Sequence, residues 1–106
     1  MIKVKFSSKV YDDICDIVEK YLNSKDIVNW IEAHVPNISF DCMNYPYDME
    51  DCYECYFQSK NDIDAAQKVY NVLEKHLAEV NGINVEIWTV DSKLEDIINV
   101  GNFQAL

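Results

Sequence analysis

The hydrophobic residues of this 106-residue chain change their spacing along the sequence, and the change sets an order of strands and helices. Near the start, Ile2, Val4 and Phe6 alternate with lysines, which predicts a strand with one buried face. The longest helical stripe, with a period of about 3.6 residues, comprises Ile63, Ala66, Val69, Tyr70, Leu73, Leu77 and Val80. Because both periods are present, we expect a mixed fold of helices and strands.

Two helices are predicted between the first and second strands. The first follows Ser7 and Ser8, which are helix-capping residues, and ends near Asn23. The second is short and is capped by Ser24. It ends before Pro36, because the residue that precedes a proline avoids the helical conformation.

A hairpin is predicted in the middle of the chain. Alternating residues form a second strand over 38–42 and a third over 52–58, and the composition of 44–51 is typical of a turn. Asn61 caps the long helix, which is expected to end at the Asn81-Gly82 dipeptide.

The last part of the chain is predicted to form a strand and a terminal helix. Residues 83–87 alternate between apolar and polar, which favours a fourth strand. Ser92 and Glu95 have the spacing of a capping box, and Gly101 provides a helix stop. The apolar residues of this predicted helix are Leu94, Ile97 and Ile98.

Without the short helices, the order β-α-β-β-α-β resembles the ferredoxin-like split βαβ fold. The resemblance implies an α+β protein with a four-stranded antiparallel sheet, two main helices on one face and short extra helices. We expect residues 1–106 to form a single domain. Tyr56 and Trp88 are expected to be solvent-exposed aromatics on the open face, which carries Lys3, Lys5, Ser39, Asp41, Glu54, Tyr56, Glu86 and Trp88.

Charge is the strongest signal in the composition. Nineteen acidic residues against nine lysines and no arginine give a net charge of −10. Direct nucleic-acid binding is therefore not expected, because arginine supplies most of the specific contacts to bases and phosphates. No apolar run is long enough to span a membrane, and two glycines cannot build a phosphate-binding loop, so we predict a cytoplasmic protein without a cofactor.

The acidic residues are unevenly distributed. No lysine lies between Lys25 and Lys60, and five carboxylates fall between positions 41 and 54. Tyrosine and methionine alternate with these carboxylates, a combination that is typical of protein interfaces. The predicted partner-binding residues are Asp41, Tyr45, Tyr47, Asp48, Met49, Glu50, Asp51 and Glu54, together with Asp12, Asp13 and Asp16 of the first helix.

In size and composition the chain resembles small phage-encoded inhibitors, such as anti-CRISPR and anti-restriction proteins, and immunity proteins that neutralise toxin nucleases. This resemblance implies a non-enzymatic, acidic protein-interaction module that acts as an inhibitor. Its partner would be a basic, nucleic-acid-binding protein such as a nuclease, approached in the manner of a DNA mimic. A phage-encoded protein of this kind would act in the host cytoplasm.

Two alternative functions remain open. One is a small-molecule-sensing regulatory domain that forms a homodimer through its sheet edge, with Val85–Val90 as the edge strand. The other is a metal-binding protein that uses Cys42, Cys52, Cys55 and a histidine. Because residues three apart on a strand face opposite sides, Cys52 and Cys55 are expected to diverge, and we assign no metal ligands.

Overall fold

The computed structural model describes residues 1–8, 14–24, 26–44, 52–77 and 82–104 of the chain. Its elements are, in chain order, β1 (Ile2–Ser8), α1 (Ile14–Leu22), α2 (Ile27–His34), β2 (Ile38–Asn44), β3 (Cys52–Ser59), α3 (Asp62–Leu77), β4 (Ile83–Val90) and β5 (Asp96–Gln104).

The strands form a five-stranded sheet in the order β2-β3-β1-β4-β5, and every neighbouring pair is antiparallel. The predicted α+β class is confirmed, whereas the predicted four-stranded sheet is wrong. Strand β4 is interior because it pairs with both β1 and β5. The prediction that Val85–Val90 is an edge strand is therefore also wrong, and the two edges are β2 and β5.

The fifth strand replaces the predicted terminal helix. The Asp91 carboxylate accepts hydrogen bonds from the backbone N–H groups of Lys93 (2.8 Å) and Glu95 (3.0 Å), so the turn is organised by Asp91 and not by a capping box. Leu94 then adopts a φ of 63°, in the left-handed region that a right-handed helix cannot contain. The chain leaves the turn extended and pairs with β4.

The three helices predicted before residue 82 are present. The predicted start of α1 after Ser8 and the predicted end of α3 at Asn81-Gly82 involve residues 9–13 and 78–81, which lie outside the described residues. Helix α1 ends at Leu22, and Asn23 has a φ of 53°. The N-cap of α2 is Asp26, whose carboxylate accepts from the next helical N–H groups, and not Ser24 as predicted. Asn61 caps α3 as expected, accepting from Asp64 N at 3.1 Å. No helix in the described ranges is both long and apolar enough to cross a membrane.

The hydrophobic core lies between the helices and one face of the sheet. Alternate strand residues face the helices, as the period of two requires. The buried core residues from the strands are Ile2, Val4, Phe6, Cys55, Phe57, Ile83, Val85 and Ile87. They pack against apolar residues of all three helices, which include Val18, Leu22, Ile27, Trp30, Ile31, Ala66, Val69 and Leu73. The opposite face of the sheet carries the polar residues predicted for it.

Candidate functional site

Most of the predicted partner-binding residues lie outside the described part of the chain. These are Asp12, Asp13, Tyr45, Tyr47, Asp48, Met49, Glu50 and Asp51. Three predicted residues are described, namely Asp16, Asp41 and Glu54. Asp16 is exposed in the first turn of α1, which packs against α2, α3 and β1. It lies on a different element from Asp41, which belongs to edge strand β2.

Asp41 occupies a β-bulge in the edge strand. The β2–β3 register shifts between Phe40 and Cys42, so Asp41 is the extra residue of the bulge, and it is exposed. Gln58 donates a hydrogen bond of 2.7 Å from Nε2 to the Asp41 carboxylate. This bond, followed by one from the Cys42 thiol, lowers the pKa of Asp41 below its usual range. Asp41 is therefore held as an anion at the sheet edge.

A second carboxylate reaches the same edge from a helix. Glu32 of α2 accepts a hydrogen bond of 3.0 Å from the backbone N–H of Phe40, which blocks part of the unpaired strand edge. The Phe40 side chain is 40% exposed and meets Phe57 edge-on, with ring centroids 6.0 Å apart. We call Glu32, Phe40 and Asp41 the acidic edge.

The acidic edge combines an aromatic ring with two carboxylates that have no lysine partner in the described part of the chain. Phe40 lies opposite Phe57, on the helix side of the sheet, whereas Asp41 bonds to Gln58 on the open side. Within the described ranges, no lysine forms an ion pair with Glu32 or Asp41. The contact between Glu32 and Phe40 cannot be recognised from the sequence, because the two residues are eight positions apart and meet only through the packing of α2 on β2.

Glu54 is not part of an exposed anionic surface. Its side chain is 10% exposed and lies 3.3 Å from the ammonium group of Lys3. The same carboxylate accepts hydrogen bonds from Asn44 Nδ2 (3.0 Å) and Tyr56 Oη (3.2 Å). The exposure that we expected for Glu54 is wrong, because β1 places Lys3 beside it on the open face.

The two aromatics of the open face are also less exposed than expected. Tyr56 is 3% exposed, and burial together with the negative charge of Glu54 raises its pKa well above the usual range. Trp88 is half-buried, and its ring lies 5.5 Å from the Lys3 ammonium. Lys3 also forms an ion pair of 2.6 Å with Asp96. This polar cluster is internally paired and fastens β1, β3, β4 and β5 together.

The three cysteines whose side chains are described do not converge. Cys55 lies in the core on the helix side, while the register places Cys52 on the opposite side of β3. Cys42 pairs with Tyr56 on the open face, and burial followed by hydrogen bonding to Asp41 raises its thiol pKa. In the described ranges, no three side chains of His, Cys, Asp or Glu are grouped to hold a metal ion.

The sequence matches no protein-family model, and the searches of curated proteins and of solved structures find no match to it.

Proposed function

We propose that this chain is a non-enzymatic, acidic interaction module that binds a basic protein through its acidic edge and inhibits it. The observation that carries the proposal is an edge strand that exposes the ring of Phe40 and carries two carboxylates, Glu32 and Asp41, that have no lysine partner among the described residues. Carboxylates without internal counterions are the ones that can attract a cationic partner.

The chemistry of the acidic edge suits arginine and lysine side chains. A guanidinium group can stack on an aromatic face and can form two parallel hydrogen bonds with a carboxylate. The fixed position of Asp41, which Gln58 holds, reduces the side-chain entropy lost on binding. Complementary charge accelerates association and disfavours acidic partners. Glu54 no longer belongs to the proposed surface, because Lys3 already neutralises it.

The proposed partner is a nucleic-acid-binding protein such as a nuclease. Its groove is built for phosphates, and carboxylates on a compact surface can occupy such a groove as a DNA mimic does. The net charge of −10 and the absence of arginine support this class of partner. Asp16 and the predicted residues of 45–51 and 12–13 remain part of the proposed surface.

We further propose that β1 to β4 and the helices form a ferredoxin-like split βαβ core to which β5 is added. The antiparallel order β2-β3-β1-β4 supports this assignment, as does the packing of the helices on one face. Such folds support many activities, so the functional proposal depends on the surface and not on the fold.

The functional proposal can be tested by partner capture with matched charge variants. The immobilised chain is exposed to lysate of its source cells at low ionic strength, and captured proteins are identified by mass spectrometry. The variant E32Q/D41N removes two charges but keeps oxygen acceptors for Phe40 N–H and Gln58. We expect a basic nucleic-acid-binding protein to bind the wild-type chain, with a Kd that rises at least about tenfold for this variant.

The control variant D64N/E95Q removes the same number of charges from α3 and from the turn before β5. Equal weakening by both variants would mean that the attraction is non-specific and would contradict the role of the acidic edge. The purified partner is then assayed with increasing amounts of the chain. Unchanged partner activity at saturation would refute the inhibitor proposal while leaving the docking proposal intact.

A further inference from the structure

Two histidines from different helices meet around a buried tryptophan. His34 stacks on Trp30 with ring centroids 3.9 Å apart, and His76 approaches the same ring edge-on at 5.1 Å. The centroids of the two imidazoles are 6.0 Å apart. Both histidines are exposed, whereas Trp30 is buried. The two imidazoles are therefore accessible to a solute, while the Trp30 ring that they contact is held by packing.

The hydrogen bonding of His34 prepares one of its nitrogens for a ligand. Its Nδ1 lies 2.7 Å from the carbonyl oxygen of Trp30, which can only accept, so Nδ1 carries the proton. In the neutral ring the lone pair is then on Nε2. Histidines that bind metals usually donate their other N–H to a carbonyl or carboxylate in this way, which fixes both tautomer and orientation.

The local field also favours a cation. His34 is the last residue of α2, and His76 lies in the last turn of α3. The carbonyl groups at the C-terminus of α2 carry partial negative charge, so the field of this helix favours a cation beside His34. The net charge of the whole chain, −10, is also negative.

We propose that His34 and His76 form a two-imidazole site for a borderline divalent cation such as Zn²⁺ or Ni²⁺, with water in the remaining coordination positions. Imidazole is a preferred ligand of these ions. Metal–nitrogen bonds of about 2.0–2.1 Å place the centres of two imidazoles on one ion roughly 5–6 Å apart, close to the observed separation. The site is independent of the acidic edge and uses none of the cysteines.

Quenching of Trp30 fluorescence by Ni²⁺ tests this proposal. The chain has two tryptophans, so the variant W88F reports on Trp30 alone. Because His34 stacks on Trp30, a paramagnetic ion bound at the pair should quench it saturably with one ion per chain. We expect H34Q and H76Q each to weaken the binding by at least about tenfold, since even partners beyond the ligands contribute that much. The variant C42S serves as a control and should leave the binding unchanged.

Calorimetric titration with Zn²⁺ gives a second measurement. It uses the wild-type chain and the histidine variants without W88F, so it does not depend on W88F folding normally. Saturable one-to-one binding that requires both histidines supports the site. Binding that persists in H34Q/H76Q, that needs only one of the two histidines, or that is absent altogether would overturn it.

Discussion

Lys3 lies between two carboxylates and an indole ring on the open face of the sheet. Its side chain is 7% exposed, and its ammonium group is 3.3 Å from Glu54 and 2.6 Å from Asp96. A buried charge is stable only when it is paired and hydrogen-bonded, and Asn44 and Tyr56 complete the shell of Glu54. The cluster explains why a lysine and a glutamate can be buried on a face that sequence alone marks as polar.

Glu54→Ala is expected to destabilise the fold by about 3 kcal/mol, because Lys3 loses one of its two counterions and the buried Tyr56 hydroxyl loses its acceptor. Urea unfolding measures the change. The double variant K3M/E54L, which keeps similar volumes, should be less destabilised than the sum of its two single variants. Asp64→Ala, which breaks the exposed pair with Lys68, provides the control and should change the stability by less than about 0.5 kcal/mol. Additive effects in the double variant would show that Lys3 and Glu54 are not coupled.

The raised pKa of Tyr56 predicts that the protein loses stability in alkaline solution. Its pKa is raised by burial and by Glu54, so the folded state keeps the phenol neutral at pH values where the unfolded chain ionises it. The stabilisation is complete below the ordinary tyrosine pKa of about 10 and is lost as pH rises through the higher folded-state value. Above about pH 10, we expect the free energy of unfolding to fall less steeply for the Tyr56→Phe variant than for the wild type. Parallel slopes for the two proteins would contradict the assignment.

The packing of α3 against β5 depends on one glycine. A Cβ atom on Gly101 would lie 2.5 Å and 2.7 Å from two ring carbons of Tyr70. That ring also meets Phe103 edge-on, with centroids 5.9 Å apart. The glycine therefore lets β5 approach α3. Any side chain at position 101 would clash with the Tyr70 ring.

Gly101→Ala is expected to destabilise the fold by about 1–3 kcal/mol, because the Tyr70 ring must move and its contact with Phe103 is disturbed. Thermal unfolding followed by circular dichroism measures the effect. In a Tyr70→Leu background the same substitution should have a smaller effect, since the ring is absent. Gln104→Ala, an exposed position on the same strand, should be nearly neutral. An unchanged effect of Gly101→Ala without the Tyr70 ring would place its cause elsewhere.

The charge of the whole molecule is only partly compensated. Lys3 and Lys5 are paired with Glu54, Asp96 and Glu86 on the open face. The acidic edge on the β2 side has no comparable partner among the described residues, and the sequence between Lys25 and Lys60 contains no lysine. Glu32 and Asp41 therefore keep their negative charge at the β2 edge, where self-repulsion opposes folding and attraction favours a basic partner.

Added salt is expected to raise the melting temperature of the free chain, because it screens the self-repulsion of a net charge of −10. Calorimetry in increasing NaCl concentrations measures the shift. The variant E32Q/D41N should show a smaller increase than the wild type, since it starts with less repulsion. A melting temperature that falls with NaCl would show that exposed ion pairs outweigh the repulsion.

Sequence patterns predicted the elements that carry strong local signals. The alternation of Ile2, Val4 and Phe6 identified β1, and the stripe from Ile63 to Leu77 identified α3 with its Asn61 cap. The terminal segment was misassigned because Ser92 and Glu95 have helical capping spacing. That local preference for a helix is outweighed by the hydrogen bonds of the Asp91 turn and by the pairing of β5 with β4.

The sequence by itself determined which segments are strands or helices in most of the chain, which face of each is apolar, and how strongly acidic the protein is. These properties depend on neighbouring residues and on a sum of charges, both of which can be read along the chain. Only the tertiary structure decided that Lys3 neutralises Glu54, that Glu32 joins Asp41 around Phe40, and that His34 meets His76. Such pairs lie eight to about fifty residues apart, and no local pattern records which distant side chain packing will bring within reach.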